Sequence, residues 1–533
     1  VSSRAGAQGR ASRGGLILFS LLLAAFVINV DSTIVNVALP TLVRKLHATN
    51  TQLQWVVDAY NLVFAALLLA SGSLGDRVGR KGMLLCGLGV FGLASIAGAF
   101  TTTAGQLIVA RCFMGLGAAM IFPATLSLIS NIFTDRTERA RAIGLWGATV
   151  GVSVALGPIA GGWLLAHFSW PSIFIAMAPL AIVGAALVAY TVPTSRDPHA
   201  PKSDHGGFVL STAAMALLIF TIIEAPNHGW GSVRSLAGFG VAAVLLGLFV
   251  AFERRVRYPM LDISLFRNPR FTAASCSEAV SFFALFGFTF LITQFFQFFK
   301  GYTALSAGIH LLPVAISVGV ASVIGTKLAV RFGTKIVVAA GLLMMAAFYA
   351  WVSTANATLA YGVIAVQMTL FGTGLGFTSA PATEAILGVV PKEKAGVGSA
   401  VNDATRLLGG ALGVAVMGSI YASLYGSGLR KLLPRALPAP LARAVHNSAG
   451  AALKVSKVLR DGGHADLAAA VHHAVLTSFF GGFSAATLVA AGVAGAGSVM
   501  ALLLLPAQPL HLLDHAAQQA GLHDSQTAPL VAE

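Results

Sequence analysis

The stretch Gly147-Ala-Thr-Val-Gly151-Val-Ser-Val-Ala-Leu-Gly157-Pro158-Ile-Ala-Gly161-Gly162 decides the fold of this chain. It places glycines and a proline inside an apolar segment, where a helix in water loses about 1 kcal/mol at each glycine and about 3 kcal/mol at a proline. Helices in a bilayer tolerate both, because neighbouring helices re-satisfy the backbone and small residues four apart let two helices approach closely. The run therefore predicts a membrane helix with one smooth face and a bend at Pro158. A tightly packed helix with no part in transport is the plainer reading, and the surrounding sequence separates the two.

The 533 residues are 56% hydrophobic and only 10% charged, with a mean hydropathy of +0.81, which excludes a soluble domain. Apolar segments long enough to cross a bilayer of about 30 Å recur along the whole chain. They predict an all-α integral membrane protein with fourteen spans, near 15–39, 52–75, 82–100, 106–131, 140–165, 170–191, 207–225, 234–252, 271–298, 304–326, 336–354, 359–386, 396–421 and 477–504. Residues 1–14 and 505–533 read as tails, and 422–476 as a long loop with surface helices near 439–447 and 464–475, or a solvated cap. The first apolar stretch runs past signal-peptide length and lacks a convincing processing site.

Lysine and arginine orient the array. One set of short connections, with the N-terminal tail, carries 21 of them, and the opposite short loops carry four: Arg44, Lys45, Arg234 and Lys300. The basic side is predicted cytoplasmic, with both termini on it and the cell membrane as the location. The seven cations of the 422–476 loop do not overturn this, since long loops translocate largely regardless of charge. The net charge of +15 is thus mostly a topology signal and not a nucleic-acid footprint, there being no basic soluble domain to carry one. Cys86, Cys112 and Cys276 fall in apolar spans and read as small core residues, with no disulfide framework and no metal site.

The polar connections near 192–206 and 253–270 bracket two spans, which divides the chain into a six-helix bundle over 15–191, a two-helix insert over 207–252 and a second bundle over 271–504. A repeat agrees. Aligning Gly79 of Gly72-Ser-Leu-Gly-Asp76-Arg77-Val-Gly79-Arg80-Lys81 with Gly333 of Leu328-Ala-Val330-Arg331-Phe-Gly333-Thr-Lys335 matches Arg77 to Arg331 and Lys81 to Lys335. The acid Asp76 meets Val330, so the second copy keeps the cations and lacks the carboxylate. Related halves with a midplane site between them are a plan of secondary transporters, although charge bias alone can also make two basic loops.

Ionisable groups inside the spans are functional-site candidates by default. Asp31 falls in the outer half of span one, Asp58 about two turns into span two, and Arg111 at similar depth in span four. Such acids are candidates for proton coupling or recognition of a cation, with Arg111 tuning or pairing them; a static ion pair is the alternative. Asp403, with Arg406 three residues on at a spacing that allows a local pair, is a second coupling candidate. Glu278 in span nine has no partner evident in sequence; Glu384 lies near the inner end of span twelve and Glu224 at the outer end of span seven. Asp76 and its neighbours Gly72, Arg77, Gly79, Arg80 and Lys81 are candidates for an inner latch. Phe282 through Phe299, interleaved with Gln294 and Gln297, line either a pocket or the lipid face.

Together these residues resemble the major facilitator superfamily and, within it, the fourteen-span drug:proton antiporter family. The Gly72–Lys81 loop is similar to the superfamily's loop signature, Gly147 to Gly162 to the antiporter signature of span five, and Asp31-Ser-Thr-Ile-Val-Asn36-Val-Ala38-Leu-Pro40 to the span-one signature of the fourteen-span group. Leu107-x3-Arg111-x3-Gly115-x-Gly117-Ala-Ala resembles the span-four signature, with Met114 in place of its glutamine. Trp55-Val-Val-Asp58-Ala-Tyr60 and Gly396-Val-Gly-Ser-Ala-Val-Asn402-Asp403-Ala-Thr-Arg406 also match. The resemblance implies a membrane exporter, not an enzyme, that trades incoming protons for outgoing lipophilic or cationic molecules by alternating access. It implies a monomer, driven by the proton gradient with no cofactor, whose span five seals the two halves. An importer or passive facilitator on the same fold is the first alternative, and a non-transporting sensor or scaffold the second. An ATP-driven pump is disfavoured by the lack of a Gly-x4-Gly-Lys-Ser/Thr loop.

Overall fold

A computed structural model describes residues 2–133, 136–194, 204–257, 259, 261, 263–390 and 395–506. These residues are helices and short connections, without strands. Spans one to six run Ser2–Leu46, Asn50–Val78, Arg80–Ala99, Ala104–Ile132, Arg136–His167 and Met177–Thr191, the last preceded by the short helix Ser172–Ile175. Spans seven and eight are His205–His228 and Val233–Glu253. Spans nine to fourteen are Pro269–Gln294, Leu312–Phe332, Thr334–Val352, Tyr361–Val389, Ala395–Leu432 and Ala465–Leu504. Among the described residues twelve of these are long and apolar enough to cross a membrane. The other two long helices, spans two and five, have 29 and 32 residues and stand where the sequence predicts spans.

Local chemistry starts the helices where it should. Thr49 and Thr103 each form a reciprocal capping box, with Gln52 and Gln106, and the side chains of Asp204, Ser232 and Asn268 accept from backbone N–H groups of the turn that follows. Gly79 (φ 122°) and Gly333 (φ 89°) each end one helix and begin the next, so the two aligned loop glycines share a backbone conformation costly for any residue with a Cβ. The pattern of packing partners repeats as well: span two on four, three on four, one on five and three on six in the first half match ten on twelve, eleven on twelve, nine on thirteen and eleven on fourteen in the second. Spans seven and eight pack on each other, and seven lies against two and thirteen.

Three expectations change. Span thirteen continues to Leu432 and span fourteen begins at Ala465, so the stretch near 464–475 is the start of the last helix and not a separate surface helix. Between them Ala439–Asn447 and Ala449–Asp461 form a cap whose Val445, Ala449, Ala452 and Leu459 are buried. The phenylalanines of span nine do not face lipid as a group: Phe283, Phe286, Phe288, Phe290, Phe295 and Phe296 are buried within the second half. Phe288, for example, meets Phe348 and Phe371 with ring centroids 5.0 and 5.3 Å away. Cys86 is exposed, and Cys112 and Cys276 are half-buried, so none is a core residue. Residues 507–533 of the predicted C-terminal tail lie outside the described set.

Candidate functional site

The first buried ionic cluster is built by spans one, two and four. Gly115 makes it possible: a Cβ there would lie 2.5 Å from the Tyr60 carbonyl, so only glycine lets span two come this close to span four. The approach brings Val56 and Tyr60 onto Arg111. Arg111 Nη1 donates to Asp31 Oδ2 at 2.5 Å, its Nε donates to the Val56 carbonyl at 3.0 Å, and its guanidinium carbon stands 4.2 Å from the centre of the Tyr60 ring. Tyr60 is itself tied by its hydroxyl to the Ile28 carbonyl at 2.9 Å. Asp31, Asp58 and Arg111 are all 0% exposed.

Asp58 is equally buried but stands outside the pairing: it lies two residues before Tyr60, whose ring meets Arg111, and so on a different face of span two. Neither of its carboxyl oxygens has a hydrogen-bond partner within the protein, and the same holds for Asp31 Oδ1, Arg111 Nη2 and both amide atoms of Asn61. An unsatisfied buried polar group costs about 1–3 kcal/mol, and more if charged. These are polar groups held in apolar packing, which suits groups that gain and lose a proton as access changes.

The second cluster lies in the other half, near the end of the bundle predicted cytoplasmic. Glu278, which has no partner evident in sequence, receives Arg406 from span thirteen. Nη2 and Nε donate to Glu278 Oε1 at 2.6 and 2.9 Å, and the hydroxyls of Ser379 and Thr383 donate to the same oxygen at 2.9 and 2.8 Å. Asp403 is 3.9 Å from Arg406, so the local pair suggested by spacing exists but is secondary to one formed across 128 residues. Asn402 donates to Asp403 at 3.4 Å, and the Arg406 guanidinium carbon lies 5.0 Å from the centre of the Phe282 ring. Glu278 is fully buried, whereas the Arg406 side chain keeps 23% of its surface exposed.

Glu384 and Glu224 join neither cluster. Glu384 is exposed, next to Thr383 in sequence, and stands within electrostatic reach of Arg270 at the start of span nine. Glu224 accepts from Asn227 at 3.1 Å and stands 3.9 Å from His228, a local arrangement at the end of span seven.

The glycines of span five serve two surfaces. A Cβ on Gly157 would lie 2.9 Å from the Val30 carbonyl and one on Gly161 would lie 2.6 Å from Ile34 Cγ1, so these two seat span five on span one. Gly162 faces the second half instead: a Cβ there would meet Leu305 Cα at 2.4 Å, in the short helix Ala304–Ile309 ahead of span ten. From the other side, a Cβ on Gly308 would lie 2.3 Å from the Pro158 carbonyl. Hydrogen bonds join the halves at the same level. Gln54 donates to Ser419 at 3.1 Å and to the Ala415 carbonyl at 3.2 Å, and Gln297 donates to the Val37 carbonyl at 2.8 Å. All these contacts lie in the part of the molecule predicted external, so that side is closed. Gly147 and Gly151 are helical, but their surroundings lie outside the described residues, as do the side chains of Asp76 and Arg77. Of the loop beside them, Lys81 donates to the Ala189 carbonyl at 2.8 Å and so ties span three to span six, while Gly72 stands against Pro123, 3.6 Å from where its Cβ would be.

Sequence reasoning missed the Glu278–Arg406 pairing, the two hydroxyls that support it and the stacking of Arg111 on Tyr60. No spacing rule links residues so far apart; the one available signal was that Arg406 is an intramembrane cation needing more than a single acid three residues away.

The family is settled by comparison. A family model described as the Major Facilitator Superfamily matches residues 21–414. The methylenomycin A resistance protein of Streptomyces coelicolor is 37% identical over 78% of this chain and 87% of its own length. The multidrug efflux pump LfrA of Mycolicibacterium smegmatis is 34% identical over 93% of this chain and 95% of its own. The tetracenomycin C resistance and export protein of Streptomyces glaucescens is 31% identical over 94% of both. In fold, the chain is similar to a bacterial homolog of the human lysosomal transporter Spinster, solved inward-facing and unoccupied, with a TM-score of 0.62 and 16% identity over 93% of this chain and 98% of that one. With helix packing that repeats between halves and a family match running from the first span into span thirteen, this chain belongs to the Major Facilitator Superfamily.

Proposed function

We propose that this protein is a secondary transporter that exports lipophilic or cationic small molecules in exchange for protons by alternating access. The observation that carries the reading is the fully buried Asp31–Arg111 pair, together with Asp58 of the same half, unpartnered and at 0% exposure. A protonated Asp58 is neutral and compatible with the closed packing; a deprotonated one is a lone charge whose burial is costly, so its protonation state and the opening of the site are coupled. Three relatives, two named for antibiotic resistance and two for efflux or export, support the substrate class. In this reading the protein sits in the cell membrane as a monomer with both termini cytoplasmic, the first and second bundles rock about spans seven and eight, and the Gly72–Lys81 loop latches the inner side.

The test is proton movement in inside-out vesicles with an acidified lumen. Adding a transported compound should release lumenal protons in the wild type, and Asp58→Asn should abolish the release while the protein stays folded. Uptake that proceeds equally in Asp31→Asn and Asp58→Asn would remove the coupling role of both residues, and the opposite dependence on pH would favour import.

A further inference from the structure

The second cluster is more than an ion pair. Among the described residues it has two carboxyl groups, Glu278 and Asp403, and one cation, Arg406, so it holds one acid more than it holds bases. It also presents an aromatic face, with the guanidinium of Arg406 5.0 Å from the centre of Phe282, and Phe286 stacked behind Phe282 at 6.3 Å. One carboxylate oxygen, Glu278 Oε2, is buried without a partner. Arg406 is the partly exposed member of the group, its side chain keeping 23% of its surface, and a guanidinium bared to hydrocarbon is expensive. Its exposed edge is therefore the side from which a ligand can reach the group.

We propose that this is a binding site for a lipophilic organic cation and that Arg406 is its tethered plug, occupying the acids and the Phe282 face until an incoming cation displaces it. The proposal rests on the export reading above and names its substrate class. An aromatic ring plus an acid in excess is the chemistry that recognises a large, weakly hydrated cation, and the long side chain of Arg406 can withdraw toward its exposed edge without breaking a helix. Ser379 and Thr383 keep Glu278 hydrogen-bonded when the guanidinium leaves.

The experiment is equilibrium binding of tetraphenylphosphonium to the full chain in lipid nanodiscs without a gradient, with tetraphenylborate as the anion of the same size. Arg406→Gln removes the competitor and should bind the cation about tenfold more tightly, whereas Glu278→Gln should bind it about tenfold more weakly. Phe282→Leu leaves the ion pair intact and should also weaken binding about tenfold, which keeps the test decisive if Arg406→Gln fails to fold. Tetraphenylborate should not follow this pattern. Equal cation affinity in wild type and Phe282→Leu, no measurable cation binding, or weaker binding in folded Arg406→Gln overturns the plug. Vesicles that still exchange protons for another substrate would then leave the export reading standing, while the predicted binding pattern in a protein that moves no protons would overturn export and keep the site.

Discussion

The two halves repeat one pattern of helix packing yet bury their charges in opposite ways. In the first half Arg111 is sealed, stacked on Tyr60 and paired with Asp31, and an unpartnered carboxyl, Asp58, is equally buried. In the second half Arg406 is partly open, and four donors converge on one oxygen of Glu278. A sealed pair with a second, unpartnered acid in the same half suits groups that carry protons, and an acid held through one oxygen by a movable cation suits a group that yields to a ligand. The repeated backbone scaffold sets where such clusters can form, and the side chains placed on it decide which chemistry each performs.

The contrast is most easily broken by removing one partner of each pair. Asp31→Ala leaves Arg111 buried and uncompensated, and should destabilise the protein by about 3–5 kcal/mol, read as a large fall in thermal unfolding temperature in detergent. Glu278→Gln should cost only about 1–2 kcal/mol, because Arg406 can turn toward its exposed edge and the amide retains hydrogen bonds. Equal losses would mean that the two clusters are energetically alike.

A smaller effect tests the seam between the halves. Gly162→Ala drives a Cβ toward Leu305 Cα and should cost about 1–3 kcal/mol in the externally closed state. Cysteine-labelling of the external cleft should increase in that variant, and unchanged labelling would remove span five from the seal. Tyr60→Phe keeps the ring beneath Arg111 but deletes the hydroxyl bond to Ile28, for a loss of about 1 kcal/mol in unfolding. Tyr60→Leu should lose more, and equal losses would show that the ring contributes nothing to holding Arg111.

The smallest expected effect lies outside both clusters. Half-burial, aided by the nearby charge of Arg430, pushes the His446 imidazole in the cap between spans thirteen and fourteen below its ordinary value. Folding therefore favours the neutral ring. This stabilisation is fully present above the ordinary histidine pKa of about 6.5 and is lost as pH falls through the lowered value. Unfolding of the cap followed by hydrogen exchange should speed up on acidification in the wild type and lose that dependence in His446→Gln.

Much of the architecture was legible because its causes are local. Spans follow from runs of apolar residues, the shared bend at Gly79 and Gly333 from two aligned loops, and the close packing of span five from Gly157, Gly161 and Gly162. The ends of spans thirteen and fourteen were not legible, since both helices continue past the apolar core into a cap held by its own buried residues, Val445 and Leu459 among them. The phenylalanines of span nine were ambiguous for a related reason: inside a membrane an apolar residue is equally at home against lipid or protein, and hydropathy does not distinguish the two.

By itself the sequence determined that the chain crosses a membrane many times, that its halves repeat, and that acids and arginines sit at apolar depth, because composition and short-range spacing carry those properties. Only the tertiary structure decided that Asp31 and not Asp58 takes Arg111, that Glu278 rather than Asp403 is the main partner of Arg406, and that Gly162 faces the opposite half. Each of those outcomes depends on which helix faces converge, and convergence is set by packing between residues far apart in the chain.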